Sequence, residues 1–182
     1  PTATGLAWTF DLLLHDARVL EAAREGDPAY LDAVTKEALR IRPVIPGVGR
    51  VVRGEPFRLG RFEVPVGVEI NPSIRTIHRR REFYPEPARF APERFLGADA
   101  PDTYTWVPFG GGTRRCLGAS FALMEMRTVL GRILQRTELM AVDEDPAKAQ
   151  FRAITLSPKG GVRVRQTRAP APAPSDQRVP VA

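Results

Sequence analysis

Pro43 divides this sequence into two ways of folding. A proline ring disfavours helix in the residue before it, so the helical apolar period carried by Leu31, Val34, Ala38 and Leu39 has to end short of it. From Pro43 to residue 74 the chain turns to β-branched and aromatic residues broken by Gly and Pro. That pattern predicts short strands at 51–52, 57–59, 62–64 and 66–70 in a small antiparallel sheet.

Upstream of Pro43 the spacing predicts three helices. Leu6, Phe10, Leu13 and Leu14 recur at i, i+4, i+7 and i+8, which gives an amphipathic helix over 3–14. Asp16 is placed to cap a short helix that runs through Arg24 and stops at Gly26. Asp27 caps the next, with Pro28 at the first helical position, where its missing N–H is harmless.

Downstream the signals alternate. Residues 82–108 hold many prolines and aromatics but no sustained period, which predicts a long ordered coil, a kind of segment that usually has a job. After Gly118 a long helix is expected to about Thr137, with Leu123, Met126, Leu130 and Ile133 on one stripe, Phe121 and Met124 widening it, and most of its surface buried. Residues 151–166 read as a hairpin whose strands, 154–156 and 162–164, flank a Ser-Pro-Lys-Gly-Gly turn. The fold class is mainly α with small antiparallel β-sheets, as one partial domain over 1–166, and the Pro- and Ala-rich tail over 167–182 is expected to be disordered.

Composition narrows the function. A 43% hydrophobic content supports a core, and the absence of an 18-residue apolar run or a signal-peptide pattern predicts a soluble, cytoplasmic chain without a membrane segment. The net charge of +6 comes from scattered arginines, with Lys only at 36, 148 and 159. Solvated faces are the plain reading of that charge, and a docking face for an acidic partner is the sharper one. No RNA-binding or zinc-finger pattern accompanies it, so no nucleic-acid role is expected.

The single cysteine, Cys116, excludes an internal disulfide. It stands in Phe109-Gly-Gly-Gly-Thr-Arg-Arg-Cys-Leu-Gly118, after a Gly-rich turn and at the predicted start of a helix. Glycines let backbone N–H groups wrap a sulfur, and a helix N-terminus together with Arg114 and Arg115 favours the ionised thiolate. Such a thiolate is a soft ligand for haem iron, whose porphyrin supplies the other nitrogens. Zinc fits less well because only His15 and His78 could join it. On these residues alone a buried structural cysteine is an equal alternative.

The same ten residues match F-x-x-G-x-R-x-C-x-G at Phe109, Gly112, Arg114, Cys116 and Gly118. Upstream, E-x-x-R occurs as Glu37-Ala-Leu-Arg40, and a P-E-R-F box as Pro92-Glu93-Arg94-Phe95. In these three motifs and their order the chain resembles the C-terminal portion of the cytochrome P-450 family, of bacterial type.

That resemblance implies haem b with Cys116 as axial thiolate. It implies Phe109 beside the sulfur, Gly112 in the turn, Gly118 where the long helix nears the porphyrin, and Arg114 and Arg50 on the haem propionates. Glu37, Arg40 and Arg94 would form a charge-balanced structural triad. Val44 and Ile45, with Ala153, Ile154 and Thr155, would line a pocket for an apolar small molecule. The implied reaction is insertion of one oxygen atom of O2 into that substrate, with electrons from a ferredoxin or flavoprotein. The first eight residues resemble the end of the family's long central helix, and the oxygen-groove motif with its threonine is not found, Pro1 standing at that place. An upstream half is therefore expected to be missing, and an inactive remnant or a haem-binding protein without oxygenase activity is the alternative reading.

Overall fold

The chain opens with helix α1 (Thr2–Leu14), and two aspartates start the helices after it in the computed structural model, which describes residues 1–98 and 100–168. The Asp16 carboxylate accepts the Val19 N–H at the head of α2 (Ala17–Arg24), and Asp27 accepts the Ala29 and Tyr30 N–H groups at the head of α3 (Pro28–Ile41). Caps of this kind contribute about 1 kcal/mol each by satisfying amides that have no partner inside the helix. As the sequence predicts, α3 stops before Pro43.

The strands between Pro43 and residue 74 form two small antiparallel pairs rather than one sheet. β1 (Arg50–Val51) pairs with a strand numbered β4 (Glu69–Ile70), and between them β2 (Phe57–Leu59) pairs with β3 (Phe62–Val64). A short helix, α4 (Ile74–Ile77), is capped by the Ser73 hydroxyl and leads into an irregular segment that holds a 3₁₀ turn at Pro92–Phe95. Helix α5 (Ala119–Arg136) follows, then strands β5 (Glu138–Ala141), β6 (Ala149–Arg152), β7 (Thr155–Pro158) and β8 (Val164–Arg168).

Helix α3 is the hub. It packs against α1, α5 and the 3₁₀ turn, and its residues Leu31, Val34, Ala38 and Ile41 share one core with Leu13, Val19, Phe90, Leu130 and Leu134. Each fully buried aliphatic side chain there contributes about 1.5–3 kcal/mol. A smaller cluster of Leu39, Val44 and Met126, flanked by Leu6, Trp106, Phe109 and Leu123, joins α3 and α5 to the cysteine loop. Gly5 of α1 makes that approach possible, because a Cβ there would lie 3.0 Å from the Met126 methyl.

Further expectations change. The predicted 151–166 hairpin is replaced by two pairings: β6 with β7 across a turn at Ala153-Ile154, and β8 with β5. Ala153 takes a positive φ of 53°, which closes the tighter turn and leaves the glycine-rich turn to redirect the chain. Helix α5 starts at Ala119, as expected after Gly118, so Cys116 stands just ahead of its first turn. It is less buried than expected, with Phe121 63% and Met124 49% exposed, because α1 and α3 cover only the face carrying Met126, Leu130 and Leu134. Strand β8 runs to Arg168, two residues into the segment expected to be disordered, and residues 169–182 lie outside the described residues.

Candidate functional site

Cys116 sits on an exposed loop between the 3₁₀ turn Gly112–Arg114 and α5. The turn needs its glycines: Gly110 and Gly112 have φ of 72° and 66°, in the left-handed region that residues with a Cβ rarely enter. The loop closes on itself where the Phe109 carbonyl accepts the Cys116 N–H at 3.0 Å. A Cβ on Gly118 would stand 4.0 Å from the Cys116 sulfur, so this glycine keeps that side of the sulfur free of side chain.

The cysteine opens on a cavity of about 340 Å³ between the loop and the start of α1. Val44, Ile45, Phe109 and Gly118, all expected at the site, line it with Cys116, and so do Gly5, Leu39, Phe121 and Met126. Thr2 supplies one of its few polar groups. The reading from sequence puts Pro1 at the oxygen groove but does not name Gly5, since the contact that brings Gly5 onto Met126 leaves no local mark. Phe121 and Met126 were assigned only to a helix stripe.

Other expected residues stand elsewhere. Arg50 is exposed in β1, donates to the Gly49 carbonyl at 2.8 Å, and borders a separate groove beside β2. Arg114 and Gly112 are exposed and do not line the cysteine cavity. Ala153, Ile154 and Thr155 form the β6–β7 turn, with Ile154 75% exposed and outside the cavity lining. That hairpin is nevertheless tied to the cavity wall, because the Leu156 N–H donates to the Val44 carbonyl at 2.8 Å and the Trp8 indole N–H donates to the Leu156 carbonyl at 3.0 Å.

Behind the loop lies a buried ion network. Arg40 donates from Nε and Nη2 to the two oxygens of Glu37 at 2.6 and 2.8 Å. Its Nη1 donates to the His78 and Pro87 carbonyls, and the Ala91 N–H donates to Glu37. Arg94 Nε stands 3.4 Å from Glu37, and its Nη2 donates to the Glu86 carbonyl. The three charged residues are thus brought together, in a net that ties α3 to the irregular segment. His78 and Tyr84 join it. Burial holds the His78 imidazole down to about 4 from its ordinary 6.5, and pushes the Tyr84 phenol up to about 12, its hydroxyl donating to the Thr105 carbonyl.

The family model described as "Cytochrome P450" matches residues 1–163. The chain belongs to the cytochrome P-450 family. A relative described as cytochrome P-450 135B1 of Mycobacterium bovis is 44% identical over 174 residues, which are 90% of this chain and 36% of the relative. One described as cytochrome P-450 137 of Mycobacterium tuberculosis is 46% identical over 168 residues, 90% of this chain and 35% of the relative. Cytochrome P-450 138 of Mycobacterium bovis is 37% identical, again over 90% of this chain and 38% of the relative. The chain therefore spans a little over a third of the length of these relatives.

Its residues fit the prosthetic group that membership in the P-450 family implies. The donor set is a single soft sulfur, exposed, beside an apolar cavity and a glycine that leaves its approach open. Among the described residues no group of three or more His, Cys, Asp or Glu could hold a metal ion. One protein ligand suffices when a porphyrin brings its own nitrogens. No helix among the described residues is long and apolar enough to cross a membrane.

Proposed function

We propose that this chain carries the haem-thiolate half-site of a monooxygenase that inserts one oxygen atom of O2 into an apolar small molecule. The observation that carries the reading is the Cys116 thiol opening on an apolar cavity next to Gly118. The chemistry that haem supplies in such a site is activation of dioxygen, and a thiolate ligand favours O–O bond cleavage.

The chain's own residues do the rest. Cys116 is the iron ligand, and the hydrogen bond from its N–H to the Phe109 carbonyl holds the loop that presents the sulfur. Phe109, Leu39 and Met126 keep water from the sulfur side of the cavity, and Val44 and Ile45 offer an apolar wall to the substrate. Ala153, Ile154 and Thr155 act on that wall through the Leu156–Val44 bond. Arg50 and Arg114 are the guanidinium candidates for the haem carboxylates, a task suited to a planar fork. Glu37, Arg40 and Arg94 are assigned a structural role.

A ferredoxin or flavoprotein of the cytoplasm is the proposed electron donor, steered by exposed Arg79, Arg81, Arg114 and Arg115. Arg80 contributes less, since Glu82 pairs with it at 2.5 Å. The test is to load residues 1–182 with haem, reduce, add carbon monoxide and record the Soret band. A red-shifted thiolate-type band in the wild type that is lost in Cys116→Ala supports the assignment. The same spectrum from both chains refutes it.

A further inference from the structure

We propose that His78 is a positioning residue for the Cys116 loop, clamping the start of that loop to the last turn of α3 through the two nitrogens of one neutral imidazole. The proposal rests on the assignment of Cys116 as the haem ligand.

The argument begins with an orphan carbonyl. The last four C=O groups of a helix have no partner within it, and Arg40 is the penultimate residue of α3. Its carbonyl lies 3.1 Å from His78 Nδ1, while the Val107 N–H points at His78 Nε2 at 3.0 Å. An amide N–H can only donate, so Nε2 must offer its lone pair, and the ring proton sits on Nδ1 and goes to Arg40. A single tautomer satisfies both groups. The ring is fully buried, so water replaces neither bond.

Val107 is where this bond reaches the cysteine. Its carbonyl accepts the Gly110 N–H, which forms the turn, and two residues on the Phe109 carbonyl accepts the Cys116 N–H. The clamp, the turn and the ligand loop are therefore in series along ten residues. Trp106 adds a second tie to α3, its indole N–H donating to the Lys36 carbonyl, but this bond holds a side chain and not the loop backbone.

Burial first, and then the like charge of Arg40, keeps His78 from charging. The Arg40 guanidinium donates to the His78 carbonyl at 2.7 Å, with Glu37 balancing it from the far side. Tyr84 meets the imidazole edge-on at 6.2 Å and spends its hydroxyl on Thr105. The Arg79 guanidinium is next in sequence and adds like charge near Arg40. A second ring proton would set an N–H against the Val107 N–H, and the clamp would open.

The test compares wild type with His78→Phe, which fills the space without nitrogens, and His78→Gln, which carries both a donor and an acceptor. The measurements are hydrogen exchange of the Val107 amide in the haem-free chain and the ferrous carbon monoxide spectrum after loading. In His78→Phe the Val107 amide is expected to exchange about tenfold faster, the loss of one buried hydrogen bond, and the thiolate-type band to give way to a thiol-type one. His78→Gln restores most of both.

Should His78→Phe unfold, recovery of Val107 protection and of the band in His78→Gln carries the proposal, and a folded Gln variant lacking both overturns it. Wild-type behaviour of both variants overturns it as well. A third reading needs no variant: on acidification of the loaded wild type, the thiolate band fades in step with His78 protonation and before far-UV circular dichroism changes. Loss of the band only with global unfolding contradicts the clamp. A wild type that takes up no haem, while Val107 protection still follows residue 78, defeats the haem assignment and leaves the clamp standing.

Discussion

Arg40 and Glu37 meet through two parallel hydrogen bonds of 2.6 and 2.8 Å, and neither side chain is exposed to solvent. A buried pair is costly to form and far costlier to leave half made, because the surviving charge has no water to turn to. Glu37→Ala strands the Arg40 guanidinium and the Ala91 N–H together. It is expected to lose about 3–5 kcal/mol of stability by urea titration, whereas Arg94→Ala, whose partner is 3.4 Å away and which is partly exposed, loses less.

Acid should weaken the fold through His78. Its imidazole is held to about 4 against an ordinary 6.5. Above pH 6.5 it is neutral folded or unfolded, and its contribution is complete. As the pH falls below 6.5 the unfolded chain takes up the proton first, so stability declines by about 3 kcal/mol by pH 4. Urea midpoints at pH 7, 5.5 and 4.5 should show a decline in wild type that is shallower in His78→Gln.

Asp11 is a buried carboxylate of α1 whose two oxygens both accept the Ala147 N–H, at 3.0 and 3.2 Å. It pins the segment between β5 and β6 to the helix. Asp11→Ala leaves that amide unsatisfied and should cost about 1–3 kcal/mol. The loss would show as a lower thermal midpoint, with faster exchange of the Ala147 amide.

Ala153 holds a left-handed φ at an exposed hairpin turn. Its methyl group is strained there and makes no buried contact that compensates. Ala153→Gly should therefore stabilise the chain by up to about 1 kcal/mol. A destabilised Ala153→Gly variant would mean that unfolded-state entropy outweighs the strain at this turn.

The helices were legible because their ends are written in single residues: Asp16, Asp27, Pro28 and Pro43 each act on the backbone beside them. The cysteine loop was legible for the same reason, its glycines and cysteine lying within ten consecutive positions. What stayed hidden depends on distance along the chain. Pairing of β8 with β5 joins segments more than twenty residues apart, and no local pattern distinguishes it from a hairpin around Pro158-Lys159-Gly160-Gly161. The exposed Phe121 and Met124 kept the spacing of a core stripe, because period alone says which residues share a face and not whether another element covers it. His78 was visible only as a histidine, since its two partners, Arg40 and Val107, are 38 and 29 residues away.

Trp106 stands edge-on to Phe109 at 6.0 Å with its indole N–H bound to the Lys36 carbonyl, while the other tryptophan, Trp8, is bound to Leu156 on the hairpin side. The molecule thus carries its two tryptophans on two different seams. With Trp8 replaced by Phe, indole emission would come from the seam beside the sulfur alone, and its colour and quenching would follow the seating of the cysteine loop in real time.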